Sequence, residues 1–145
     1  MVLVFMKDKV VIITGSTSGI GFGIAKKFAS NGAKIVINGF VQAKQVNEII
    51  QELKSLGANE VLFDGANLSK PEEIESMFKN VINKFQAIDI LVNNAGIQFV
   101  SPIEDFPPEK WEAIIRVDLI ASFYTIKNAI PHMKNSPYAK LAKRI

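Results

Sequence analysis

Apolar and polar positions along this chain alternate between two periods. Residues 9–14 enclose the unbroken β-branched run Val10-Val11-Ile12-Ile13, the pattern of a short strand buried on both faces. Residues 18–31 switch to helical spacing, with Ile20, Ile24, Ala25 and Phe28 on one stripe that stops at Asn31-Gly32. A second strand follows at 34–38, Lys-Ile-Val-Ile-Asn. A second helix over 42–56 then carries Val46, Ile49, Ile50 and Leu53 on one face and stops at Gly57.

The alternation continues with a third strand at 60–63 and the loop Asp64-Gly-Ala-Asn-Leu-Ser69. Ser69 ahead of Pro71 and Glu72 predicts a helix start with Ser69 as N-cap. Ile74, Met77, Phe78, Val81, Ile82 and Phe85 form that helix's stripe. A fourth strand at 88–92 runs into Asn93-Asn94-Ala95-Gly96. Beyond a loop with three prolines, one long helical pattern extends from about residue 109 to residue 133. Trp111 and the phenylalanines at helical spacing are core candidates. Strands and helices alternating in this way predict an α/β fold: a doubly wound parallel sheet, Rossmann-like, truncated after about four strands.

The chemistry concentrates at the corner between the first strand and the first helix. Thr14-Gly15-Ser16-Thr17-Ser18-Gly19-Ile20-Gly21 places three glycines where the chain must turn sharply and approach a ligand closely. The following helix offers unpaired N–H groups and the positive end of its dipole. That combination suits a pyrophosphate, although glycine corners also serve plain packing. Asn93-Asn94-Ala95-Gly96 is good turn chemistry by itself. At the end of the fourth strand it faces the same crevice, provided that the first and fourth strands flank the point where strand order reverses.

Composition changes this picture little. The 145 residues suffice for one domain, 48% apolar and 21% charged residues are ordinary globular values, and the net charge is +3. The lysines are scattered, so nucleic acid is not an expected partner. Without cysteine, disulfides and thiol or cysteine-metal chemistry are excluded. His132 has neither a second histidine nor a nearby acid, so no metal site is expected. The apolar start, residues 1–6, is too short to span a membrane and lacks the pattern of a signal peptide. Met6 is a candidate true start, and a cytoplasmic location is the default expectation.

Together, Thr-Gly-Ser-Thr-Ser-Gly-Ile-Gly at 14–21 and Asn-Asn-Ala-Gly at 93–96 resemble the short-chain dehydrogenase/reductase family. Asn38-Gly39-Phe40, the stretch 64–71 and the stretch 93–106 are similar to the bacterial 3-hydroxybutyrate dehydrogenase branch in particular. The resemblance runs from about residue 8 to Lys134. It implies a cofactor site formed by Gly15, Thr17, Ser18, Gly19, Ile20, Gly21, Phe40, Asn67, Leu68, Asn94, Ala95, Gly96 and Val117. Phe40 packs against adenosine on this reading; otherwise it is an exposed loop aromatic or a contact of the next helix. Gln98 is implied as a contact of a substrate carboxylate, with a solvated loop glutamine as the alternative.

NAD is the expected cofactor rather than NADP, because neither Ser18 nor Gly39 supplies the cation that a 2′-phosphate needs. Two residues depart from the family. Asn67 stands where the resemblance implies an Asp holding adenine, and is expected to accept through its carbonyl oxygen without charge. Asp118 stands at the family's helix Asn, which orders a water of the proton relay. In a buried helix this Asp is costly unless it is protonated or paired with a Lys or Arg.

The catalytic set is incomplete. The family's Tyr-x-x-x-Lys lowers the tyrosine pKa for proton exchange with the carbinol oxygen, and a serine holds that oxygen. Here Tyr124 is followed four residues on by Asn128, and Tyr138 by Ala142, with Lys127 and Lys140 at the wrong spacing. Residues 135–145 depart from the family, with a turn at Ser136-Pro137. The expectation is a single partial dinucleotide-binding domain over 1–145: the N-terminal part of an NAD-dependent oxidoreductase acting on a short hydroxy acid, inactive alone. The alternatives are a non-catalytic nucleotide-binding or interaction remnant of a decaying gene, and one half of a split enzyme. An open sheet edge at the fourth strand implies self-association or a complementing C-terminal chain.

Overall fold

The computed structural model describes residues 6–136; the apolar start before Met6 and the tail from Pro137, including Tyr138, lie outside the described residues. Four parallel strands form one sheet: β1 (Val10–Ile13), β2 (Lys34–Asn38), β3 (Glu60–Asp64) and β4 (Ile90–Val92). Their order is β3-β2-β1-β4. Strand order therefore reverses at β1, where Val11 pairs with Ile35 of β2 on one side and Ile90 of β4 on the other.

The period-2 geometry of β1 explains the two cores. Val10 and Ile12 face one side, with Val36, against α3 (Pro71–Phe85) and α5 (Ala121–Met133). Val11 and Ile13 face the other, with Ile35 and Ile37, against α1 (Gly19–Ala29) and α2 (Ala43–Ser55). Within these helices, Ala25 and Ala29 of α1, Leu53 of α2 and Met77 of α3 are fully buried. Each large apolar side chain of this kind contributes about 1.5–3 kcal/mol by leaving water. The doubly wound expectation holds, but β4 is a half-buried edge strand.

Three local readings are corrected. Lys70, not Ser69, is the N-cap of α3, because the Ser69 hydroxyl is engaged on Asn67 and Pro71 fixes the first helical turn. The long pattern after the prolines is α4 (Pro108–Ile115), a π-helical turn (Arg116–Ile120) and α5, not one uniform helix. Trp111 is 56% exposed and Phe123 61% exposed, so neither is core.

Candidate functional site

Parallel register brings the loops after all four strands to one rim, and buried polar side chains tie those loops together. Asn38, at the end of β2, is buried. Its amide NH2 donates to the carbonyls of Asp64 and Ala66 at 3.0 Å each, and its Oδ1 accepts from the Gly15 N–H at 3.3 Å. Its backbone N–H donates to Ser16 Oγ at 3.1 Å, and the Ser16 hydroxyl donates to the Ile13 carbonyl at 2.7 Å. One asparagine thus joins the ends of β1, β2 and β3.

Thr14 and Asn94 do the same between β1 and β4. Thr14 Oγ1 accepts from the N–H groups of Asn94 and Ala95, both at 3.0 Å. The Asn94 NH2 returns two bonds, to the Thr14 carbonyl at 3.0 Å and the Gly15 carbonyl at 2.9 Å. The glycines are required by these approaches. Gly15 has φ +60°, and a Cβ there would stand 2.8 Å from Ala95 Cα. A Cβ on Gly21 would collide with the Gly15 carbonyl and the Asn94 amide.

Between these loops lies a cleft of about 350 Å³, within the range of small-molecule sites. Of the residues expected at the cofactor, Gly15, Thr17, Ser18, Phe40, Asn67, Leu68, Asn94, Ala95, Gly96 and Val117 line it. Gly19, Ile20 and Gly21 do not. Gly21 is packed inside the corner, while Ile20, expected on the buried stripe of α1, is 79% exposed. Phe40 is 74% exposed and also borders a second hollow, of about 500 Å³, with Val41, Gln42 and Phe63. Gln98 is exposed and outside the cleft lining.

The π-helical turn, not foreseen from the pattern, places two site residues. It closes with the Ala121 N–H donating to the Arg116 carbonyl, five residues back. Val117 in this turn reaches the cleft. Asp118 is exposed rather than buried, and its Oδ1 accepts from the Ile97 N–H at 2.9 Å; among the described residues it has no Lys or Arg partner. The cost expected of a buried carboxylate does not arise, because Asp118 lies on the open side of the helix.

Asn67 also differs from expectation. Its Oδ1 already accepts twice, from the Ser69 N–H at 3.0 Å and the Ser69 hydroxyl at 2.8 Å. Its backbone N–H donates to Glu73 Oε2 at 2.7 Å, and Glu73 Oε1 pairs with Lys70 at 2.9 Å. The bond from Asn67, then that from Lys70, holds the Glu73 carboxyl below its usual range; the Glu73 carboxylate raises Lys70.

Sequence reasoning left out Asn38, Ala66 and Ile97 as cleft residues and Thr14 as a tie. A polar residue closing a buried apolar run, Val10–Ile13 or Ile35–Ile37, is the signal that marks both Thr14 and Asn38. Ile97 carries no such signal.

Comparison with known proteins agrees with this architecture. The family model described as short chain dehydrogenase matches residues 9–142, a span that extends past Lys134 into the tail. D-beta-hydroxybutyrate dehydrogenase of Rhizobium meliloti is 47% identical over 133 residues, covering 92% of this chain and 52% of the relative. The enzyme of that name from Cupriavidus necator is 46% identical over 137 residues, with 94% and 52% covered. The chain spans about half the length of these curated relatives.

Among solved structures, an NADH-dependent reductase complexed with NAD superposes with TM-score 0.87 at 28% identity, covering 95% of this chain and 57% of that one. L-sorbose reductase from Gluconobacter frateurii, complexed with NADPH and L-sorbose, gives TM-score 0.82 at 33% identity, covering 88% and 48%. Among the described residues no helix is long and apolar enough to cross a membrane. With the family match running through both the glycine corner and the Asn94 loop, the chain belongs to the short chain dehydrogenase family.

Proposed function

We propose that this chain is the dinucleotide-binding part of an NAD-dependent oxidoreductase acting on a short hydroxy acid of the 3-hydroxybutyrate type. The observation that carries this reading is the cleft at the switch point beside β1. It runs from the Asn67-Leu68 loop, across the Gly15-Thr17-Ser18 corner, to Asn94-Ala95-Gly96 and Val117. The corner and the N-terminus of α1 would hold a pyrophosphate, the loops after β2 and β3 the adenosine, and the loop after β4 the nicotinamide side. The cofactor supplies hydride chemistry when bound; the residues of this chain bind and orient it.

NAD is favoured over NADP because, among the described residues, no Lys or Arg lines the cleft or the hollow beside Phe40. A 2′-phosphate there would lose its water without gaining a cation. Gln98 is the proposed contact for the substrate carboxylate. Since the chain has no Tyr-x-x-x-Lys, we propose binding without turnover. A parallel calorimetric titration tests the reading: NAD saturates the chain with NADP weaker by tenfold or more. No heat from NAD at millimolar concentration contradicts it.

A second reading, one half of a split enzyme in the cytoplasm, is favoured by the open β4 edge and by exposed Leu119, Phe123, Ile126 and Ile130 nearby. Co-expression with a chain carrying the missing serine, tyrosine and lysine restores 3-hydroxybutyrate oxidation on this reading. An inactive co-purified complex rejects it.

A further inference from the structure

At the end of the cleft beyond β3, the Asn67 side chain has no acceptor to spare. Asn67 Oδ1 has two lone pairs, and the N–H and O–H of Ser69 occupy both. The amide cannot be turned round, because its NH2 would then face the Ser69 N–H, donor against donor. What Asn67 leaves to the cleft is therefore its NH2 group.

The neighbouring carboxylates, Asp64 and Glu73, lie outside the cleft lining and are bonded elsewhere. Asp64 Oδ1 takes the Ala66 N–H at 2.9 Å, and Asp64 Oδ2 takes the Asn80 NH2 at 3.0 Å. The two Glu73 oxygens are held by the Asn67 N–H and Lys70. The backbone carbonyls of Asp64 and Ala66 accept from Asn38.

We infer that this end of the cleft selects a purine presenting an acceptor at C6, so that the chain binds a 6-oxopurine dinucleotide at least as tightly as the 6-amino form, NAD. This inference rests on the dinucleotide reading above and adds base preference to it. An exocyclic amine facing the Asn67 NH2 meets donor with donor, whereas a C6 carbonyl accepts from it. Asn67→Asp is close to isosteric: one carboxylate oxygen keeps the Ser69 bonds and the other turns the NH2 position into an acceptor.

Wild type and Asn67→Asp are titrated with NAD and with nicotinamide hypoxanthine dinucleotide by calorimetry. In wild type, the Kd for the hypoxanthine form is equal to or below that for NAD. In Asn67→Asp, the ratio of the two moves toward NAD by roughly three- to tenfold, the worth of one hydrogen bond. If wild type binds NAD threefold or more tightly than the hypoxanthine form, the base preference is overturned while the dinucleotide site stands. If neither dinucleotide binds at millimolar concentration, both fall.

Discussion

Thr14, Asn38 and Asn94, which end or follow β1, β2 and β4, have their polar side-chain groups paired, and the loops they hold approach too closely for a Cβ at Gly15 or Gly21. Along the flank made by β4 and the helices after it, the reverse holds. β4 is an edge, and Leu119, Phe123, Ile126 and Ile130 stand in solvent at helical spacing. The polar ties of the first region are made within this chain, whereas the second leaves an apolar row exposed. The loops around the cleft are thus fixed by side chains that this chain itself supplies.

The sharpest way to break this contrast is at Gly15. Gly15→Val places a β-branched residue at φ +60° against the Ala95 backbone, and a loss of about 2–5 kcal/mol is expected in urea unfolding, with loss of NAD binding. Gly19→Ala is the companion, since Gly19 has φ +56° but open space around it; about 1–2 kcal/mol is expected there. Equal costs at the two glycines would mean that the close approach to Ala95 is unimportant.

Asn38→Leu comes next. It leaves the Asp64 and Ala66 carbonyls and the Gly15 N–H without their partner, and roughly 2–4 kcal/mol of stability is expected to go with them. Hydrogen exchange then rises in all three loops together; a rise confined to the β2 loop contradicts the tie. On the flank, Phe123→Glu is expected to leave unfolding within about 0.5 kcal/mol of wild type. We propose that this exposed row pairs copies of the chain: sedimentation velocity is then expected to show wild type associating at a lower concentration than Phe123→Glu, and a monomer in both contradicts it.

The smallest effect is at Glu73. Its carboxyl is held below the ordinary 4.5, so its contribution to the Asn67 loop is full above that value and is lost as pH falls through the lowered one. NAD affinity is expected to weaken over that acidic interval in wild type and less so in Glu73→Gln, with calorimetry between pH 3.5 and 6 as the check, the range being about the carboxylate one.

The two regions were also unequally legible in the sequence. Elements around β1 and β2 follow from unbroken apolar runs and glycine stops, because strands buried on both faces leave few other solutions. The motif at 14–21 and Asn94 pointed to the same crevice that the fold produces. The π-helical turn was not legible, since one extra residue in a helical turn leaves the apolar spacing of Ile115 and Ile120 unremarkable. Trp111 and Phe123 read as core because periodicity reports an apolar face and not whether this chain covers it. Asn67 was read by residue type, whereas its chemistry depends on Ser69, two positions on, consuming its oxygen.

The most direct test of the central claim is amide chemical-shift mapping of NAD on the isolated chain. The account predicts perturbations clustered at Gly15, Thr17, Ser18, Asn67, Leu68, Ala95 and Gly96, with Phe123, Ile126 and Ile130 unmoved. Shifts confined to the α5 flank, or none at millimolar NAD, would contradict it.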